Sequence, residues 1–163
     1  MSGADRALAI EPLALERVDV RDAAIEARVR VRDARLTRTS TVSGLADSAL
    51  KVLPGLLRHR CDCGSSHGIQ RELADTEAPH LLEHIVLELM ALSGSPRSLR
   101  GETEWDFAAD GRGVYRVRIE YDDDLVALGA LERGVQVANA LLSGDVPPDP
   151  RVLAEELGVL RNH

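Results

Sequence analysis

Aromatic residues are scarce in this chain. Trp105, Phe107, Tyr115 and Tyr121 are the only four, and all fall within one short stretch. Leucine, valine, isoleucine and alanine must therefore fill most of any core. Cysteine is nearly absent too. Cys61 and Cys63 are separated by one residue, a poor spacing for a structural disulfide, so reduced thiols are expected there. Basic charge is in deficit. The formal net charge of −7 argues against nucleic acid, and equally against an anionic membrane surface, because neutralising phosphates needs a basic surface. A cationic or arginine-bearing substrate suits the sign. Lysine occurs once, at Lys51, and every other basic side chain except histidine is arginine. No apolar run approaches the ~20 residues that span a bilayer. The start, MSGADRALAI, lacks the basic n-region and long apolar core of a signal peptide. The cytoplasm is the expected compartment. No Gly-rich phosphate cradle, Walker motif or Gly-x-Ser-x-Gly elbow is present, which argues against ATP-dependent ligation by this chain alone.

What remains is an ordinary globular composition, 44% hydrophobic and 29% charged over 163 residues. That length fits one domain, residues 1–163, able to bury a core without staples. Residues 1–22 carry few firm signals beyond a short strand near Ala7–Ile10. From Ala24 to Leu36 the chain alternates, with Ile25, Ala27, Val29 and Val31 against Glu26, Arg28, Arg30 and Arg32, as a half-buried strand does. Thr39–Gly44 reads as a link in which Ser43 caps a helix over Leu45–Leu57, bent or ended by Pro54. A polar loop follows, Arg58–Gly68. The clearest helix spans 77–92, entered through Thr76 as N-cap with Pro79 in its first turn and stopped near Gly94. Residues 95–113 read as loop with one strand. Val114–Tyr121 alternates as a strand, and Asp122–Asp124 lead into a helix ending near Leu142. Gly144–Pro150 breaks the chain before a C-terminal tail, 144–163, with a short helix. Strands with one wet face, mixed with helices, imply an α+β fold: helices packed on a small, largely antiparallel sheet in a single domain.

The helix over 77–92 carries the chemistry. With His80 as origin, Glu83, His84 and Glu88 fall near roughly 300°, 40° and 80° on a helical wheel. Apart from that stripe, which Leu87 interrupts, the helix is apolar nearly all round and belongs in the interior, with the stripe facing a pocket. Histidines four apart lie about 6 Å along the axis and can share one metal. Glu83 sits beside them, placed to take a proton from water. His80-x-x-Glu83-His84 is the order of inverzincin metallopeptidases, the reverse of the commoner His-Glu-x-x-His. Zinc in a catalytic site needs a third protein ligand. Glu88 is the nearest candidate, and Glu102, Glu104, Glu120, Glu155 or Glu156 are alternatives if the fold brings them in. The same four residues can equally be the wet stripe of an ordinary amphipathic helix. The loop His59-Arg60-Cys61-Asp62-Cys63 with His67 matches no common zinc module, so structural thiols are preferred there. Glu77 and Asp122–Asp124 read as helix-start acids rather than ligands.

The ordered set Leu53-Pro54, His59-Arg60-Cys61, Gly64, Gly68, Arg71-Glu72-Leu73, Thr76, His80-Leu81-Leu82-Glu83-His84, Leu87-Glu88-Leu89, Gly94 and Gly113-Val114-Tyr115-Arg116-Val117 with Glu120-Tyr121 resembles the N-terminal domain of cyanophycin synthetase, over roughly residues 25–142. The synthetase's ATP-grasp and Mur-ligase-like parts are absent from this chain. The resemblance implies a module that holds the growing polymer of aspartate and arginine and, in some members, cuts it as a metallopeptidase. It places zinc on His80 and His84, the general base on Glu83 and, less directly, a ligand on Glu88. Two positions depart from the family pattern. Gly101-Glu102-Thr103-Glu104 stands where the family tends to have Gly-x-Thr-Arg, and Met90 stands where it tends to have glutamine.

Three readings follow: a zinc-dependent hydrolase of a peptide or isopeptide bond, in a cyanophycin-like Asp/Arg polymer; a non-catalytic module that binds such a polymer or a partner ligase; or a structural, oligomerising domain. An Asp/Arg polymer or peptide is the expected substrate, with a homo-oligomer or a partner ligase left open as protein partners.

Overall fold

The computed structural model describes residues 10–60 and 68–161. Four strands make one sheet: β1 Leu13–Val20, β2 Ala24–Val31, β3 Gly101–Glu104 and β4 Val114–Glu120. Their order is β1-β2-β4-β3, every pairing antiparallel. The register sets Ile25 opposite Ile119, Ala27 opposite Val117 and Val29 opposite Tyr115. Because side chains alternate along a strand, these six share one face and the arginines and glutamates between them share the other. The apolar face is fully covered, Ile25, Val29, Val117 and Ile119 being 0% exposed.

Among the described residues six α-helices accompany the sheet: α1 Leu45–Val52, α2 Gly68–Ala74, α3 Ala78–Leu92, α4 Phe107–Asp110, α5 Asp124–Leu142 and α6 Pro150–Arg161. A 3-10 segment over Pro54–Arg58 follows α1. Helices α3 and α5 pack together against the apolar face, and both are buried along most of their length. The α+β architecture expected from the sequence is the one observed. Helix α5 is long and apolar enough, by length and composition, to cross a bilayer, which the reading of apolar runs did not flag. Here 61% of its most apolar stretch is buried inside the domain, as in a core helix. The C-terminal helix α6 buries Leu153 and Leu157 and is tied back by Arg161, which donates to Ser95 Oγ at 2.8 Å.

Several local expectations are corrected. Strand β1 lies in the stretch read as nearly featureless, because its apolar residues alternate only weakly around the irregularity between Leu15 and Arg17. Of the strand expected near Ala7–Ile10, Ala7–Ala9 lie outside the described residues, and Ile10 is exposed and not in a strand. The helix expected over Leu45–Leu57 stops at Val52, since Pro54 cannot continue its ladder and opens a 3-10 turn instead. Gly44, with φ 71°, takes the cap position expected of Ser43. Helix α2 lies directly beyond the expected polar loop, in a stretch assigned no element, and α4 interrupts the loop after β3.

The buried amide of Asn139 on α5 joins helix layer to sheet edge. Its Oδ1 accepts from Leu13 N at 2.8 Å and its Nδ2 donates to Leu13 O at 3.0 Å. Replacing it leaves a buried donor and a buried acceptor unmatched at the start of β1, each costing about 1–3 kcal/mol. Asn139→Ala should therefore lower the unfolding free energy by about 2–4 kcal/mol in urea titration; a loss under about 0.5 kcal/mol would show that this clamp contributes nothing.

Candidate metal centre

Helix α3 begins at Ala78 with Pro79 in its first turn, where a missing N–H costs no hydrogen bond. Glu77, not Thr76, occupies the cap position, and no side chain caps it. Thr76 Oγ1 lies instead 2.8 Å from His80 Nδ1. Eleven of the fifteen residues of α3 are buried, including Glu83, His84 and Glu88, so an amphipathic helix with a solvated stripe is not what the chain builds. The stripe faces inward, toward a cleft of about 1000 Å³. One wall carries Arg58 and His59 from the 3-10 segment and the residue after it; the opposite wall is strand β3, from Gly101 to Glu104.

The imidazoles of His80 and His84 meet through their Nε2 atoms, 3.1 Å apart. Glu83 Oε2 lies 3.9 Å from His84 Nε2, and one ligand atom from each of the three residues falls within 4.8 Å of the others. Two nitrogens held about 2.0–2.1 Å from a tetrahedral zinc would stand about 3.3 Å apart. The pair is therefore already set at coordination distance, while the carboxylate stands slightly farther off. A soft-borderline cation with nitrogen preference suits this donor set.

Burial shapes the electrostatics. His84 is 2% exposed, and burial first, then the neighbouring His80 and His59 rings, push its pKa down to about 3. It is a neutral lone-pair donor across the physiological range. Burial likewise holds His80 below the ordinary value, partly offset by Glu72. The Glu83 carboxyl goes the other way. Burial pushes it up to about 7, with Glu102 adding to the rise and a hydrogen bond from the Thr103 hydroxyl, at 2.8 Å, holding it back. Gly101 makes that position possible: a Cβ there would sit 2.6 Å from Glu83 Cγ.

Glu88 lies outside the His80–Glu83–His84 donor group. It is 1% exposed and gripped by Arg97, whose Nη1 and Nη2 donate to Oε1 and Oε2 at 2.8 and 3.2 Å. His59 Nε2 is 2.9 Å from Oε1, and His59 Nδ1 is 3.0 Å from His84 Nδ1. Burial opposes the charge on Glu88, but the bonds to His59 and Arg97 outweigh it and hold the carboxyl below its usual range. Of the alternative ligands, Glu102 and Glu104 line the cleft. Glu120 accepts from Arg100 N, Glu156 pairs with Arg133, and Glu155 is exposed on α6. Cys61, Cys63 and His67 lie outside the described residues.

Sequence reasoning assigned no site role to four participants: His59, set aside with the cysteine loop; Thr76, read as a cap; Thr103, seen only within a family-like Gly-x-Thr run; and Arg97, which carried no motif. For His59, Thr76 and Thr103 the family resemblance was a signal that could have found them. Thr76 stands one helical turn before His80, and His59 directly follows the 3-10 turn.

A family model for the cyanophycin synthase-like N-terminal domain matches residues 26–143. Among curated relatives, the cyanophycin synthetase of Geminocystis herdmanii is 27% identical over 120 residues, covering 73% of this chain and 13% of that protein. That of Crocosphaera subtropica is 27% identical over 122 residues, 74% of this chain and 14% of the relative. That of a Synechocystis species is 28% identical over 120 residues, 72% and 13% respectively. The chain thus spans about a seventh of the length of these relatives.

The raised Glu83 pKa has a consequence for stability. An unfolded chain releases this proton near 4.5, whereas the folded chain keeps it to about 7. The group therefore stabilises the fold fully below about pH 4.5 and loses that contribution as pH rises through about 7. In metal-stripped protein, Glu83→Gln should gain on the parent by up to about 3 kcal/mol between about pH 5 and pH 8, measured by urea unfolding at each pH. A difference that stays constant over that interval would mean Glu83 ionises as an ordinary surface glutamate.

Proposed function

The chain belongs to the family of cyanophycin synthase-like N-terminal domains, and on that premise we propose that it is a zinc-dependent hydrolase of a peptide or isopeptide bond in an Asp/Arg polymer of the cyanophycin kind. The observation that carries this reading is the pair of buried Nε2 atoms 3.1 Å apart, with a carboxyl of pKa about 7 beside them, on one cleft wall.

His80 and His84 would hold the metal. Zinc, when bound, polarises the scissile carbonyl and makes water more acidic. Glu83 supplies the proton traffic: its carboxylate takes a proton from the attacking water as the oxygen bonds to the carbonyl carbon. It then returns that proton to the leaving nitrogen as the C–N bond breaks. Thr103, donating to Oε1, keeps the carboxyl turned along the β3 wall. Glu102 and Glu104 alternate with Gly101 and Thr103 along β3 and pair across to Arg118 and Arg116, on the sheet face turned away from α3. The rest of the cleft mixes signs, with Arg58, Arg60 and Arg100 against Glu72, Glu77 and Glu102. Such a lining suits a polymer that bears both carboxylates and guanidinium groups.

That same mixed lining favours a second reading, a module that holds the polymer or docks on a partner ligase without cleaving it. The relatives' name, cyanophycin synthetase, fits either role. Metal content separates the two. The hydrolase reading expects one zinc per chain, lost in His80→Ala and retained in Glu83→Gln, with Glu83→Gln slowed about 10²–10⁴-fold on an Asp/Arg polymer followed by chain-length analysis. Polymer binding by protein that stays metal-free after zinc incubation would support the binding module instead, and a Glu83→Gln variant as fast as its parent removes Glu83 as the base.

A further inference from the structure

We infer that His59 and Glu88 are positioning residues: they lock His84 in the tautomer that carries its proton on Nδ1, so that the Nε2 lone pair faces the cleft before any cation arrives. The hydrogen bonds behind the two imidazoles have one direction consistent with neutral rings. Arginine only donates, and Arg97 reaches both oxygens of Glu88, at 2.8 and 3.2 Å. Glu88 is therefore an acceptor-only carboxylate. His59 Nε2, 2.9 Å from Oε1, must bear a proton to meet it. An imidazole with one N–H has a lone pair on its other nitrogen, and in His59 that N–H is the one directed at Glu88. His59 Nδ1 is then a lone pair, and it faces His84 Nδ1 at 3.0 Å. Two lone pairs do not meet at that distance, so His84 Nδ1 carries the proton and Nε2 does not.

The far end of the chain is adaptable where this end is fixed. Without a cation, His80 donates from Nε2 to the His84 lone pair across 3.1 Å, and Thr76 Oγ1, 2.8 Å from His80 Nδ1, donates back. With a cation between the rings, His80 needs its proton on Nδ1, and the threonine hydroxyl accepts it as readily as it donated. One ring exchanges its tautomer; His84 does not. A carboxylate–histidine pair behind a ligating histidine is the arrangement that orients a metal site and raises its affinity. Gly55 belongs to the device, since a Cβ there would lie 1.9 Å from Glu88 Oε2 and drive the carboxylate off His59. The metal consequence rests on the zinc reading above, but the tautomer does not.

Long-range proton–nitrogen NMR correlations on metal-stripped, ¹⁵N-labelled protein report each ring's tautomer directly. The expected spectrum shows His84 protonated on Nδ1 and bare at Nε2; His84 protonated on Nε2 overturns the inference. Zinc affinity, read by competition with a chromophoric chelator, should fall about 10- to 100-fold in His59→Ala. It should largely recover in His59→Asn, whose Oδ1 accepts the same proton. Unchanged affinity together with unchanged His84 signals in His59→Ala also overturns it. A parent protein that binds no zinc yet shows the Nδ1–H pattern sinks the metal reading and upholds the relay. Should His59→Ala fail to fold, the parent spectrum alone decides.

Discussion

Burial of ionisable side chains in a helix that is otherwise apolar is the constraint on which the rest of this structure turns. Helix α3 runs through the core, and each polar atom it carries inward must find a partner or lose several kcal/mol. His80, Glu83, His84 and Glu88 are satisfied by groups from four other places in the chain: Thr76, Thr103, His59 and Arg97. The surrounding elements are placed accordingly. Strand β3 sits at the sheet edge beside Glu83, and the 3-10 turn after α1 carries the chain to His59 behind His84. Gly101 and Gly55 let the backbone come close where a Cβ would collide with a carboxylate.

The two carboxylates show how environment divides roles among like groups. Both lie on one helix and both are nearly inaccessible, yet they titrate in opposite directions. Glu88 keeps its charge because an arginine and a histidine bind it. Glu83 has only a threonine hydroxyl and a neighbouring acid, so burial prevails and its pKa rises to about 7. Groups on one element whose environments push their pKa values apart are the usual mark of acid–base machinery. Here that division leaves Glu88 locked between Arg97 and His59, and Glu83 held by Thr103 beside the two imidazoles.

Membership of the cyanophycin synthase-like N-terminal domain family gives this cleft a context. The departure noted in the sequence, Glu104 at the end of β3 where the family tends to have arginine, falls on the cleft wall itself. It exchanges a carboxylate-binding group for one that prefers cations. The change lies outside the donor group at α3.

The sequence by itself determined the elements whose pattern is periodic. Period-two alternation marked β2 and β4, and an apolar run with Pro79 near its start and Gly94 just past its end marked α3, because both signals are local. The same helical spacing put His80, Glu83 and His84 on one stripe, and they do face one cleft. Strand β1 and helix α2 escaped, since a register irregularity and a short length leave little periodicity to read. The partners of Glu88 were set only in three dimensions. On a helical wheel it is as good a ligand as its neighbours; in the fold Arg97 and His59 claim it first. Those partners are separated by nine and twenty-nine residues from Glu88, and no spacing rule links positions joined only by packing.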